Sequence, residues 1–415
     1  MKIMGNMMSS LDRRLFLRQA GMLGLAASLP KFAHAQQTID LGLPGGNGIR
    51  TLTQAGEFPQ KSGDLILQRT RAPLLETPMS VFDEGVFTPN DKFYVRWHWA
   101  DIPDSVDAEA FRLTVRGHVG KPLSLSLKEL MALPRVEMAA VNQCSGNSRG
   151  FFAPRVPGGE WGHGAMGNAK WTGVRLKDVL DRAGVTAGAV QVRFNGLDQP
   201  TSQDGPDFMK SLGIDHARDG EVMIAYAMNG KPLPLLNGFP LRLIVPGWYA
   251  TYWVKMLSDI EVLDRPDENF WMKTAYQIPD RPFATMKPGE QNVPTVPISK
   301  MLPRSFVTNI PADSKIAVGA PVKARGIAFG GDCGVKEVSF STDDGQSWRS
   351  AKLGADEGKY GFRRWEAEFV LPERGAHTIK VRCTNAAGES QPDQPNWNGS
   401  GYMRSVIEAV AVEAV

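Results

Sequence analysis

Cysteine is scarce, with three among 415 residues, so at most one disulfide can form and a fold built on a disulfide framework is excluded. No apolar run reaches the roughly 18 residues needed to span a membrane. Internal repeats and low-complexity tracts are absent, and no glycine-rich loop ends in the Gly-Lys-Ser/Thr that would cradle a phosphate. An excess of one charge is missing too. The chain carries 47 basic and 44 acidic residues, and outside the first 35 residues the balance is 42 to 43. Such a near-neutral chain gives no support for a nucleic-acid partner or a charged membrane surface. What is abundant is glycine and proline, 43 and 29 residues, which favours short, turn-rich elements over long amphipathic helices. At this length two domains are the default.

The basic excess has its own explanation. Arg13-Arg14 precedes Leu15-Phe16-Leu17, a short apolar run covers Ala20 to Leu29, and Ala33-His34-Ala35 offers small residues for cleavage. That pattern reads as a twin-arginine signal over 1–35, which implies export in the folded state to the periplasm. An N-terminal arm, 36–72, rich in Gly, Gln, Thr and Pro, is expected next. A first body should run over 73–285. Within it a helix is expected over 127–133 before Pro134, and a second from Trp171 to Ala183 stopped by Gly184. Strands are expected over 190–197, 223–228 and 241–246. Prolines at 282, 288, 294, 297 and 303 mark a linker over 286–309. From 310 to 415 the pattern changes to short strands with frequent turns, among them 335–341 and the Asp343-Asp344-Gly345 turn, and reads as an immunoglobulin-like β-sandwich. The fold class is therefore α+β. Cys383 reads as core on one strand face, and its pairing with Cys333 is left open.

Chemistry concentrates in Val141–Gly150, VNQCSGNSRG. Cys144 lies there among hydrogen-bonding turn residues with Arg149 five positions on, a setting that can make a thiol a metal ligand. No general base neighbours it in sequence, which argues against a nucleophile. Upstream, Phe93-Tyr94-Val95-Arg96-Trp97-His98 is a β-prone run that puts Arg96 and His98 on one side of a strand, suiting an anion site.

With these residues the chain resembles the sulfite oxidase family of molybdenum enzymes, and most closely its bacterial periplasmic sulfite dehydrogenases. The carriers include Thr88-Pro89-Asn90, Tyr94 to His98, Gln143-Cys144-Ser145-Gly146-Asn147-Ser148-Arg149, Gly196-Leu197-Asp198, Gly238-Phe239-Pro240-Leu241-Arg242, Val245-Pro246-Gly247 and Val254-Lys255, in that order. The resemblance implies a mixed α/β molybdopterin-binding domain ahead of the sandwich, and one molybdopterin with molybdenum bound through Cys144. It implies that Arg96 and Arg149 hold sulfite and sulfate, with His98 in the same pocket and Tyr276 beside the metal. Cofactor contacts are implied for Tyr94, Val95, Arg96, Trp97, His98, Asp198, Asn237, Arg242, Trp253, Val254 and Lys255. The implied reaction is oxidation of sulfite to sulfate by oxygen-atom transfer, with electrons leaving to a separate c-type cytochrome. No haem is expected in this chain, which lacks a Cys-x-x-Cys-His motif, and the sandwich is expected to form a homodimer.

Two departures stand out. Asn237 replaces the histidine many relatives carry before Gly-Phe-Pro, and Trp248 to Tyr252 replaces smaller residues and an arginine. Three other readings stay open: a periplasmic molybdopterin reductase of sulfoxides such as methionine sulfoxide, a non-enzymatic secreted binding protein, and a zinc or copper site built from Cys144, His98 and His163.

Overall fold

A computed structural model describes residues 54–415. The signal segment and residues 36–53 of the arm lie outside the described residues. The hub of the first lobe is an antiparallel sheet in the order β11 (Lys231–Pro232), β10 (Met223–Met228), β7 (Met166–Arg175), β6 (Arg135–Gln143), with β12 (Arg242–Ile244) also paired to β10. Strand β6 pairs with β7 along its whole length, from Arg135↔Val174 to Gln143↔Met166. Its first residues alternate in exposure while Ala139–Gln143 are all buried, because structure covers both faces of its second half. The strand therefore delivers Cys144 at its end, inside the molecule.

A second sheet runs β5 (Leu123–Leu125), β4 (Leu113–Gly117), β13 (Asp259–Leu263), β8 (Gln191–Asn195), β9 (Met209–Gly213). A third, small one joins β1 (Ile66–Arg69), β2 (Leu74–Glu76) and β3 (Val95–Arg96). The arm residues from 54 onward are packed: Phe58 and Leu65 share a core with Val95, Trp97, Leu235, Leu236 and Met256.

The helix expected from Trp171 begins only at Leu176. Residues 171–175 are the end of β7, paired on both sides with β6 and β10. A buried β run followed directly by a helix mimics one helical period, and two ladders of backbone hydrogen bonds outweigh local preference. The helix itself, Leu176–Ala183, buries Leu176, Val179, Leu180 and Ala183. Each of the three larger chains contributes about 1.5–3 kcal/mol. It stops at Gly184, whose φ of 68° belongs to the left-handed region and whose N–H returns to the Leu180 carbonyl. Glycine is the residue that accepts that turn without strain.

The second lobe is a sandwich of two sheets. One is β16 (Arg304–Val307), β18 (Val322–Phe329), β22 (Arg363–Phe369), β21 (Lys352–Leu353). The other is β17 (Ser314–Ile316), β24 (Glu408–Ala414), β23 (Gly375–Asn385), β19 (Val335–Ser341), β20 (Arg349–Ser350). Ile379, Val381 and Cys383 point inward from β23 and are fully buried. Cys333 and Cys383 are free thiols.

The proline-rich stretch 286–309 holds two strands. Within it, β15 (Thr295–Pro297) pairs with β14 (Gln277–Pro279), and β16 is the first strand of the sandwich. Pro279 and Pro297 close a two-stranded ladder at opposite ends, where a missing N–H is tolerated.

The lobes share apolar contacts. Phe306, Ile327, Phe329, Tyr360 and Phe362 of the second belong to the main core of the first. Asp83 accepts a two-pronged contact from Arg325, at 3.1 Å from Nε and 2.5 Å from Nη2.

Candidate active site

Cys144, 8% exposed, lies where the end of β6 meets the turn 144–149. Its N–H donates to the Ala165 carbonyl at 2.9 Å and its carbonyl accepts from Asn147 at 3.0 Å. Beside it opens a pocket lined by Tyr94, Arg96, His98, Ser145, Phe208, Leu236, Asn237, Arg242, Ala250, Thr251, Trp253, Lys255 and Tyr276.

The alternation along Tyr94 to His98 divides those residues. Tyr94, Arg96 and His98 line the cavity. Val95 and Trp97 face the small core instead, so the structure places neither in the cavity wall. Val254 is likewise buried outside the wall. Asp198 is buried behind Lys255. Burial pushes its carboxyl up to about 6 while the Lys255 ammonium holds it back, and burial pushes Lys255 down. Arg149, half-buried, is not part of the cavity wall. Its Nε donates to the Gly401 carbonyl at 3.1 Å and its Nη1 to Gly159 at 3.4 Å.

Tyr276 and His98 form a pair, Nε2 to phenolic oxygen 2.5 Å. The imidazole stacks on Phe208 with centroids 3.5 Å apart. Enclosure away from water, then the Arg96, Lys255 and Lys210 cations, pushes His98 well below its ordinary value. Burial pushes the Tyr276 phenol up. Both are neutral at pH 7. His98 Nδ1 is buried with no partner. An orphaned N–H is costlier than an orphaned lone pair, which favours the tautomer in which Nε2–H donates to the phenolic oxygen. The Tyr276 O–H is then free to donate into the cavity. Tyr276 also has a φ of 60°, a left-handed strain of about 1–3 kcal/mol for a side chain of this kind.

The cavity wall fits an anionic, acceptor-rich group. Arg96 Nη1, Ser145 Oγ, Arg242 Nε and Thr251 Oγ1 in the wall, with Asn142 Nδ2 outside it, are all buried without partners; three are donors only, and the two hydroxyls can donate. Buried donors are nearly always satisfied in a protein, so a bound molecule is the economical explanation for a cluster of them beside a thiol. By contrast, no group of three or more His, Cys, Asp or Glu is placed to hold a metal ion among the described residues. His163 turns away, accepting or donating at Ser148 Oγ, 2.8 Å, with Glu408 at 3.7 Å. The zinc or copper reading has no ligand set.

Three contributors carry no local sequence signal. Lys61, from the arm, is buried and donates to Asn237 Oδ1 at 2.5 Å and to the carbonyls of Asn90 and Phe93. Asn237 Nδ2 in turn donates to the Tyr94 carbonyl at 3.1 Å. The asparagine is thus tied inside the protein, with the Lys61 amine behind it. Burial pushes that ammonium down to about 7. Lys210, 0% exposed, lies 4.6 Å from the Tyr252 ring centre and 5.4 Å from that of Tyr276. Phe208, the third, packs on His98.

Residues 99–271 match the family model of the oxidoreductase molybdopterin binding domain, and 296–414 that of the Mo-co oxidoreductase dimerisation domain. Mitochondrial sulfite oxidase of Homo sapiens is 32% identical over 382 residues, covering 88% of this chain and 68% of that one. The chain belongs to the sulfite oxidase family of molybdenum enzymes. The corresponding enzyme of Mus musculus is also 32% identical, over 82% of this chain and 64% of its own; the chain spans about two thirds of the length of these relatives. The sulfane dehydrogenase SoxCD of Paracoccus pantotrophus shares the fold, with a TM-score of 0.71 at 21% identity over 95% of this chain and 94% of that one. Molybdopterin binding and the α+β architecture with a sandwich second lobe follow from family membership.

Beneath the turn 144–149, His163 faces Glu408, Arg304 and Arg404, and its removal from water pushes it down to about 4. A base whose folded value lies below its unfolded one of about 6.5 penalises folding in acid, because the unfolded chain binds the proton first. Stability is therefore full above about 6.5 and falls between there and about 4. A urea series at pH 7.0 and 5.0 should show the loss, and His163→Gln should flatten it. An unchanged pH slope in the variant would remove His163 as the cause.

Proposed function

We propose that this chain oxidises sulfite to sulfate at a molybdenum centre carried by one molybdopterin, passing electrons to a separate c-type cytochrome. The observation that carries the reading is the joint placement of Cys144, Arg96 and the Tyr276–His98 pair in one cavity whose unpartnered groups are mainly donors. The relatives that match over most of the chain are named for sulfite oxidation, which supports the substrate. We further propose the periplasm as its location, from the Arg13-Arg14 signal pattern, and a homodimer through the second lobe, from its match to a dimerisation domain.

When bound, the molybdenum-pterin group supplies the oxygen-atom transfer and the two-electron change. Cys144 would hold it, since a soft thiolate suits the metal, while Arg242 and Lys255, which line the same pocket, would offer donors and positive charge to the pterin and its phosphate. Arg96 offers its free Nη1 to an oxyanion, for which a guanidinium fork is shaped. His98 stays neutral and fixes the Tyr276 ring. The Tyr276 O–H is left to donate to an oxygen at the reaction centre, in surroundings where a directed donor is worth more than in water. Phe208, Trp253 and Leu236 keep bulk water from that point.

Protein made in a host that synthesises molybdopterin should contain one molybdenum per chain and reduce cytochrome c when sulfite is added. Well-folded protein without molybdenum would overturn the proposal. Arg96→Ala should raise the KM for sulfite by about 10- to 100-fold with a smaller change in kcat, the signature of lost anion binding. A fall in kcat alone would move Arg96 out of the substrate site.

A further inference from the structure

The second lobe reaches back into the site. Between β23 and β24 the chain leaves the sandwich and lays Asn396–Ser405 along the margin of the first lobe. Asn396 Nδ2 donates to the Phe283 carbonyl at 2.9 Å, Asn398 Nδ2 to Ala284 at 3.1 Å and Trp397 Nε1 to Pro154 at 2.8 Å. The Met403 N–H donates to the Ser145 carbonyl at 2.9 Å, next to Cys144. Met403 holds a φ of 58° to do so. A strained backbone of this kind persists only where its surroundings enforce it.

Within this strap stands Tyr402, mostly buried. Its ring lies flat against that of Tyr276, with centroids 5.1 Å apart and planes inclined by 12°. The Arg149 guanidinium rests 5.3 Å from the Tyr402 ring centre. Gly401, the preceding residue, accepts from Arg149 Nε at 3.1 Å. Room for the guanidinium comes from three glycines, since a methyl group built on Gly146, Gly158 or Gly401 would collide with it. Arg149 is therefore held by two carbonyls, by an aromatic face and by a slot walled by glycines. None of these is a carboxylate, so its charge stays available to an anion.

We propose that Tyr402 is a positioning residue through which the second lobe sets the direction of the Arg149 guanidinium and seals the outer face of Tyr276. It thereby helps fix the affinity of the site for a tetrahedral or pyramidal sulfur oxyanion. This rests on the proposed sulfite-oxidising role of the cavity. A ring at 402 is what the geometry uses, through stacking and the cation–π contact, and the phenolic hydroxyl is dispensable to it.

The test compares Tyr402→Phe with Tyr402→Leu, the second keeping apolar bulk without a ring, in molybdenum-loaded protein. Sulfite kinetics and sulfate binding by titration calorimetry are both measured. The Phe variant should match wild type within about twofold in KM and in sulfate Kd. The Leu variant should raise both by about tenfold with kcat within about threefold, as expected when ground-state anion binding is weakened. Unchanged KM and Kd in the Leu variant would overturn the inference, and so would equal losses in Phe and Leu. If the Leu variant unfolds, Tyr402→His keeps a flat ring and Tyr402→Met does not; the same contrast in sulfate Kd then decides. Wild-type protein with full molybdenum but no sulfite turnover would overturn the functional reading instead. In that case the sulfate Kd alone decides the role of Tyr402, and no sulfate binding by wild type counts against it.

Discussion

Replacing Cys144 by serine is expected to lower sulfite turnover by at least about 10³-fold. Exchanging a soft sulfur ligand for a hard alkoxide oxygen removes the strongest bond the chain offers the metal, and loss of an indirect support alone already costs 10- to 100-fold. The substitution is nearly isosteric, and Cys144, although packed among buried apolar residues, also lines the cavity. Far-UV circular dichroism and the unfolding midpoint should therefore match wild type. The measurements are molybdenum content and turnover per molybdenum. A serine variant with full metal and near-normal turnover would sink the ligand assignment.

The second large effect is on stability. Arg304 is 1% exposed and contacts the Glu408 carboxylate closely; its Nη2 also donates to Ser148 Oγ at 2.9 Å. Burial works to raise the Glu408 carboxyl, but Arg304, His163 and Arg404 together hold it below its ordinary range. Glu408→Gln leaves Arg304 buried with no counter-charge, which is expected to cost about 3–5 kcal/mol. Arg304→Met and Arg404→Met with Glu408→Leu, which removes the acid and both arginines it pairs with, should recover most of that loss. Denaturant unfolding of the two proteins beside Glu337→Gln on the sandwich surface would read the difference. A single-variant loss no larger than the surface control would mean that water reaches Arg304.

Much of the site was legible because it lies on short contiguous signals. Cys144 in its turn, the alternation of Tyr94, Arg96 and His98, and Arg242 with Lys255 near one strand are features of local spacing, and the structure gathers them around one cavity. Local spacing also sets a limit. Val95 and Trp97 share the contiguous run with Tyr94, Arg96 and His98, yet a strand turns every second side chain to the other face, and theirs pack in the small core. Residues 171–175 matched a helical period by coincidence with the real helix that follows. Lys61, Lys210 and Tyr402 were missed for a different reason. They approach from an arm, from the edge strand β9 and from the far lobe. Nothing in Glu57–Gly63 or Asn396–Arg404 distinguishes a residue bound for the site from one on a surface loop.

The distribution of these groups along the chain has a consequence for biogenesis. Lys61 comes before the first strand, whereas Glu408 opens the last. The turn 144–149 is thus braced, through Arg304, by a residue of the far lobe that is made long after the turn itself. A chain that has the thiol loop but not yet the second lobe lacks the support that holds the loop in place.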